Sequence, residues 1–142
     1  MTMKIVVDTN VFIGACLGMG ASRAVIAACL EEKVTPLMGV ALLAEYEDVL
    51  GRSNLFERSR LNAAEREELL DIFLAGCRWT RIYYGWRPNL PDEGDNHLVG
   101  LAVAGGAEYI VTRNLRDIAR MELVFPGLKV VFPETLLKEI RL

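Results

Sequence analysis

Residues 4–14, KIVVDTNVFIG, carry the pattern that decides the fold. In KIVV the apolar residues follow one another and do not alternate with polar ones, as in a parallel strand that is covered on both faces of its sheet. The run ends abruptly at Asp8, and Asn10 follows two residues later. The next question is whether other acids of the chain reach the same end of this predicted strand.

Strand and helix patterns alternate along the rest of the chain. Further strands are predicted near 35–38, over 79–84 (WTRIYY), over 108–112 (EYIVT) and over 129–132 (KVVF). Helices are predicted from an N-cap at Ser22 to about 32, over 40–51, from the capping-box sequence NAAE at Asn62 to about 77, over 95–105, and from Pro133. This alternation predicts a three-layer α/β/α sandwich with a mostly parallel central sheet, formed by residues 1–142 as a single domain.

The composition is that of a folded protein outside the membrane. Hydrophobic residues make up 52% and charged residues 25% of the 142, which argues against disorder. No apolar run reaches the roughly 18 residues that a membrane span needs, and the N-terminus has no secretory pattern. The three cysteines are widely spaced and odd in number, which indicates reduced thiols and a cytoplasmic location.

The net charge of −3 is not that of a basic nucleic-acid binder. It is compatible with a nuclease, because a catalytic cluster of acids contributes negative charge that metal ions offset. Any contact with RNA must then be local. With one histidine and no Cys-x-x-Cys pair, a structural zinc site is not expected.

Polar residues follow two of the predicted strands. Residues 8–10 (DTN) end the first strand, and residues 112–114 (TRN) end the strand EYIVT, with Asp117 three residues later. The carboxyl ends of parallel strands share the edge of the sheet where ligands bind. Asp95 begins the helix before the second of these strands, so a right-handed crossover brings it to this edge. Helix capping explains Asp95 equally well.

Glu45 stands at the border between two faces of the helix predicted over 40–51. On a helical wheel Asp48 lies toward solvent, and Glu45 lies beside the apolar face. That face comprises Leu42, Leu43, Tyr46, Val49 and Leu50. A border glutamate is common on surface helices, and the functional alternative is that this border lines a cleft.

The acids together predict a metal site. The oxygen-bearing side chains are those of Asp8, Glu45, Asp95 and Asp117, with Asn10, Thr112 and Asn114 beside them. Several carboxylates at close range do not all stay ionised without a cation. Mg²⁺ or Mn²⁺, as one or two ions, accepts such an all-oxygen site and supports attack of water on a phosphodiester.

These residues resemble the PIN-domain family. The likeness rests on VVDTNVFIG, on a helix that carries Glu45, and on DEGDNHLVGLAVAGGAEYIVTRNLRD, in that order. Within the family the chain is most similar to VapC-type ribonuclease toxins of toxin–antitoxin systems. The resemblance implies a Mg²⁺- or Mn²⁺-dependent endoribonuclease that cleaves RNA, forms a homodimer and binds a cognate antitoxin protein.

The resemblance also implies roles for individual residues. Asp8, Glu45 and Asp95 match the first three acids of the family's metal-binding quartet. At the fourth position the family often has Asp, and this chain has Asn114. Asn offers a carbonyl oxygen without a charge, so either Asp117 supplies the fourth carboxylate, which we expect, or the site binds metal more weakly.

Other side chains are expected around the acids. Asn10 resembles the amide that orients the first acid, and Thr112 lies beside the quartet. Ser22 either approaches the metal or phosphate or acts as an N-cap, and Arg113 either meets a substrate phosphate or forms a salt bridge. His97, in contrast, is interpreted as structural or surface, because it points about 160° away from Asp95 on the predicted helix.

Two further classes of function compete with the nuclease. The first is a catalytically weak or inactive PIN-fold module that binds RNA or protein, which Asn114 in place of Asp favours. The second is another α/β protein with an aspartate after its first strand. An aspartyl phosphatase generally has a second acid two residues later, where this chain has Asn10, and a receiver domain has an adjacent acidic pair, which is missing here.

Overall fold

The protein is described by a computed structural model that covers residues 2–81, 93–114 and 127–140, with only the backbone of 93–96. Within these ranges the strands are β1 (Met3–Val7), β2 (Val34–Met38), β3 (Arg78–Trp79), β4 (Tyr109–Val111) and β5 (Lys129–Val131). They form one sheet in the order β3-β2-β1-β4-β5, and every pairing is parallel. The predicted α/β class with a parallel central sheet is confirmed.

The helices lie between the strands in chain order. They are α1 (Thr9–Cys16), α2 (Gly20–Leu30), α3 (Val40–Leu50), α4 (Ala63–Ala75), α5 (Glu93–Gly105) and α6 (Pro133–Ile140), with a short 3₁₀ helix over Ser53–Phe56. The sequence predicts no helix over α1 or over the segment of the 3₁₀ helix. Phe56 of that segment is buried, so the connection contributes to the core.

The central position of β1 explains its apolar sequence. β1 pairs with β2 on one side and with β4 on the other, and Ile5, Val6 and Val7 are buried. The next backbone N–H, that of Asp8, still donates to the carbonyl oxygen of Val111 at 2.9 Å. β1 therefore continues directly into the N-terminus of α1.

The strand order places a switch point between β1 and β4. The chain leaves β1 through α1 and α2 toward β2, whereas β4 lies on the opposite side of β1. In open parallel sheets the crevice at such a point, outside the carboxyl ends of the strands, is where ligands bind. Asp8 and Thr112, which follow β1 and β4, border this crevice.

Two predicted helix ends are correct in detail. Asn62 Oδ1 accepts from the backbone N–H of Glu65 at 2.8 Å, and the Glu65 carboxylate accepts from the Asn62 N–H at 2.9 Å, which is the predicted capping box. α5 ends at Gly105, and Gly106 has a φ of +71°, a conformation that L side chains rarely adopt.

Other boundaries differ from the prediction. α2 begins at Gly20 with Met19 as its N-cap residue, so the predicted N-cap at Ser22 is wrong. Arg78 and Trp79 form β3, so the strand predicted over 79–84 does not include the described residues Thr80 and Arg81, and its second half, 82–84, lies outside the described residues.

The three cysteines are free thiols. Burial raises the pKa of Cys16 to about 11 and that of Cys77 to about 12, so both stay protonated at neutral pH.

In the described ranges no single helix is long and apolar enough to cross a membrane. α1 and α2 together pass that test by length and composition alone, although they are bent by 107° at the break between them.

Candidate active site

Asp8 is the most enclosed acid of the described site, with only 8% of its surface exposed. As the N-cap residue of α1 it accepts from the Thr9 backbone N–H at 2.8 Å through Oδ1. Its Oδ2 accepts from the Thr112 hydroxyl at 2.9 Å and from the Asn10 amide at 3.3 Å. Hydrogen bonds from both strand ends thus hold both carboxylate oxygens.

The surroundings of Asp8 disfavour its negative charge. Burial raises the pKa of Asp8 above its ordinary value, and the nearby charge of Glu45 acts in the same direction. The hydrogen bonds from Thr112 and from the Thr9 backbone oppose this shift. A cation next to Asp8 would relieve the remaining cost of the ionised form.

The two polar strand ends are joined by Asn10. Its Oδ1 accepts from the backbone N–H of Arg113 at 3.0 Å, and its Nδ2 donates to Thr112 Oγ1 at 3.0 Å. Thr112 is fully buried, and its hydroxyl also accepts from the backbone N–H of Asn114 at 3.1 Å. The segments DTN and TRN are therefore one hydrogen-bonded unit, in which the side chain of Asn114 is exposed.

The position of Glu45 is set by its neighbour in the chain. Tyr46 is fully buried, and its hydroxyl donates to the carbonyl oxygen of Val7 at 2.7 Å, next to Asp8. The ring of Tyr46 packs on Phe12 and Phe73 with centroids 5.5 and 5.9 Å away. These contacts hold α3 against the end of β1.

Glu45 lies across the Thr9 hydroxyl group from Asp8. Thr9 Oγ1 lies 3.0 Å from Glu45 Oε1 and 3.5 Å from Asp8 Oδ1. The Glu45 side chain is 35% exposed, which agrees with its predicted position at the border of the apolar face. The two carboxylates thus lie on either side of Thr9 at the carboxyl edge of the sheet.

His97, which the sequence predicts to be structural or at the surface, contacts Glu45, and the sequence gives no sign of this contact. Its Nε2 lies 2.6 Å from Glu45 Oε2, and its side chain is only 17% exposed. This hydrogen bond lowers the pKa of Glu45 below its ordinary value, against the opposing effect of burial. The helical wheel placed His97 away from Asp95, but a wheel cannot show that α3 packs beside α5 at that position.

Arg113 forms the salt bridge that the sequence left as one of two alternatives. Its Nη1 lies 3.4 Å from both carboxylate oxygens of Glu134 on α6. Its Nε donates to the hydroxyl of Ser22 at 2.9 Å, and Ser22 is fully buried. Ser22 is therefore a contact of Arg113 within α2 and not an N-cap.

Two acids of the predicted quartet have side chains outside the described residues. Asp95 is in the first turn of α5, where the structure covers the backbone alone, and Asp117 falls in the undescribed range 115–126. Across the described residues there is no group of three or more His, Cys, Asp or Glu side chains that could hold a metal ion. Asp8 and Glu45 are the carboxylates that the described part brings together, and two carboxylates with water are a common donor set for Mg²⁺.

The fold and the paired carboxylates define the class: a parallel α/β domain with an acidic site at the switch point of its sheet. A family model described as "PIN domain" matches residues 4–116, which is most of the chain. The chain belongs to the PIN domain family.

Two solved structures are similar to this chain over almost its whole length. The first is the VapBC2 complex from Rickettsia felis bound to a DNA fragment from its promoter, with a TM-score of 0.58 and 17% identity over 92% of this chain and 98% of that one. The second is PAE2754 from Pyrobaculum aerophilum, with a TM-score of 0.58 and 15% identity over 98% of this chain and 90% of that one. At these identities the likeness bears on the fold alone. Among curated proteins, none matches the sequence.

Proposed function

We propose that this protein is a divalent-metal-dependent endoribonuclease and the toxin of a toxin–antitoxin pair. The observation that carries the proposal is the pair of carboxylates, Asp8 and Glu45, on either side of the Thr9 hydroxyl at the carboxyl edge of a PIN-domain sheet. PIN domains are generally nucleases and typically use divalent metals.

The donor set fits a hard cation. Asp8 and Glu45 offer carboxylate oxygens, and the raised pKa of the buried Asp8 indicates that its charge lacks a full counterpart within the described residues. We propose that Asp95 completes the set and that Asp117 takes the place left by Asn114. Bound there, Mg²⁺ or Mn²⁺ would polarise a phosphodiester and lower the pKa of a bound water.

The chain's own residues would orient the site. Thr112 and Asn10 fix Asp8 Oδ2, and the backbone of Thr9 fixes Oδ1, so the aspartate is held in one orientation before any substrate arrives. Such preorganisation is what a site needs to act on charge that develops during reaction. Arg113 is already engaged by Ser22 and Glu134, which makes it a weaker candidate for binding a substrate phosphate.

We propose that the antitoxin and the second copy of a homodimer bind at the surface of α1 and α2. Met19 and Leu30 are 42% and 38% exposed, and a cavity of about 290 Å³ lies between α1, α2 and α4. Its lining is mostly apolar and includes Arg23 and Arg60. Exposed apolar surface of this kind is typical of protein–protein contacts, and the similar VapBC2 structure is itself a complex.

The direct test is cleavage of a defined single-stranded RNA by the purified protein with Mg²⁺, with Mn²⁺ or with EDTA. We expect cleavage with either metal, none in EDTA, and a loss in Asp8→Asn and Glu45→Gln that exceeds the roughly 10–100-fold typical of substitutions around a metal site. The matched control is Asp48→Asn, because Asp48 lies on the same helix, is 63% exposed and pairs with Arg52.

The same experiment separates the alternative function. Cleavage that persists in EDTA or in Asp8→Asn would refute the metal mechanism. RNA binding without cleavage under every metal condition would favour the inactive binding module that Asn114 suggests.

A further inference from the structure

His97 contacts Glu45 but is not one of the four acids proposed to bind the metal. His97 is the single histidine of the chain, and it begins the described side chains of α5. Its Nε2 is 2.6 Å from Glu45 Oε2, while its Nδ1 is buried and has no hydrogen-bond partner among the described residues.

The two ring nitrogens indicate which of them carries the proton. A histidine that carries a proton on Nε2 donates to Glu45, and an Nδ1 without a proton is then left as a bare acceptor. With the proton on Nδ1 instead, a buried N–H would lack an acceptor, and an unprotonated Nε2 would face a carboxylate oxygen. A proton on Nε2 gives the Glu45 carboxylate a hydrogen bond, whereas an unprotonated Nε2 would place two acceptors 2.6 Å apart. Nε2 is therefore the donor.

We infer that His97 is a positioning residue for Glu45. The Glu45 carboxylate receives hydrogen bonds on both oxygens from different helices: Thr9 of α1 reaches Oε1 at 3.0 Å, and His97 of α5 reaches Oε2 at 2.6 Å. Glu45 is more exposed than Asp8, so burial alone does not fix its orientation. The role of this orientation in metal binding rests on the proposed function.

The contact has a consequence for the assembly of the site. His97 lies two residues after Asp95, so the bond to Glu45 fixes the N-terminal turn of α5 relative to α3. A partner of a metal-binding carboxylate that acts in this way typically changes metal affinity or activity by roughly 10–100-fold when it is removed. Loss of the His97 donor is therefore expected to weaken the metal site without removing any carboxylate.

The contact itself is tested by NMR of the ¹⁵N-labelled protein in EDTA. Because the chain has one histidine, the imidazole gives one set of signals. We expect a proton on Nε2 that exchanges slowly with water, and loss of this slow exchange in Glu45→Ala. An Nε2 without a proton, or an Nε2 signal that Glu45→Ala leaves unchanged, would overturn the inference.

The consequence is tested by Mn²⁺ binding, followed by electron paramagnetic resonance, and by RNA cleavage. His97→Leu removes the donor and keeps apolar volume, and we expect a roughly 10–100-fold weaker Mn²⁺ affinity and a lower kcat. His97→Gln retains an N–H of about the same reach, and we expect it to recover most of the affinity. Thermal unfolding of both variants separates this effect from loss of the fold.

The outcomes distinguish the inference from the proposed function. A wild-type protein with the Nε2 proton that neither binds Mn²⁺ nor cleaves RNA would refute the proposed function and support the positioning of Glu45 by His97. A wild type that binds and cleaves, together with a folded His97→Leu variant of equal Mn²⁺ affinity, would refute the positioning role alone.

Discussion

Thr112→Val removes the hydroxyl group that joins the two strand ends of the site. Thr112 is fully buried, and valine has nearly its shape, so the substitution leaves no large cavity. The hydroxyl donates to Asp8 Oδ2 at 2.9 Å and accepts from Asn10 Nδ2 at 3.0 Å and from the Asn114 N–H at 3.1 Å. Valine offers none of these three bonds.

The largest loss is the bond to Asp8. A hydrogen bond to a charged group contributes about 1.5–3 kcal/mol. The other two donors keep alternatives: Asn10 Nδ2 still reaches Asp8 Oδ2 at 3.3 Å, and Asn114 is exposed to water. We therefore expect the free energy of unfolding at pH 7 without metal to fall by about 2 kcal/mol.

The loss of unfolding free energy in Thr112→Val, called the deficit below, should depend on pH, because the Thr112 bond favours the ionised form of Asp8. Burial raises the pKa of Asp8, so the stability that this group adds to the fold is complete below its unfolded value of 3.8 and is lost as pH rises through the folded pKa. Removing the Thr112 bond raises the folded pKa further. The deficit of the valine variant should accordingly be smallest near pH 4 and grow toward pH 7.

Urea unfolding followed by circular dichroism, in EDTA and at several pH values, measures this difference. The matched control is Thr112→Ser, which keeps the hydroxyl and loses a methyl group, with an expected cost of about 1 kcal/mol at every pH. A valine deficit that does not change with pH, or that equals the serine deficit at pH 7, would refute the assignment of Thr112 as a hydrogen-bond donor to ionised Asp8.

Substitutions at three further positions test contacts that stabilise the fold. Tyr46→Phe deletes the hydroxyl that donates to Val7 and should lower the free energy of unfolding by about 1–3 kcal/mol; urea unfolding measures this, and no change would argue against the bond. Asn62→Ala removes the capping box of α4 and should cost about 1 kcal/mol without altering Mn²⁺ affinity, whereas Asn62→Asp should be nearly neutral. Gly14→Ala would bring a Cβ to 2.7 Å from Ser22 Oγ, so a lower melting temperature is expected, and an unchanged one would contradict the close packing of α1 on α2.

Much of the fold follows from patterns that are local in the chain. The unalternating run before Asp8 predicts a central parallel strand, and β1 is flanked by a strand on each side. The capping box at Asn62 is correct because both of its partners lie within four residues. Ser22 was misassigned as an N-cap because a serine near a helix start has this signature, while its actual partner, Arg113, is 91 residues away.

By itself, the sequence determined the class of fold, the edge of the sheet at which Asp8 stands and the border position of Glu45. These depend on strand ends and helical periodicity, which are properties of neighbouring residues. Only the tertiary structure brought His97 to Glu45 across 52 residues and engaged Arg113 with Ser22 and Glu134. Such contacts depend on how α3 packs against α5 and α2 against α6, and no periodicity in the chain encodes the distance between two helices.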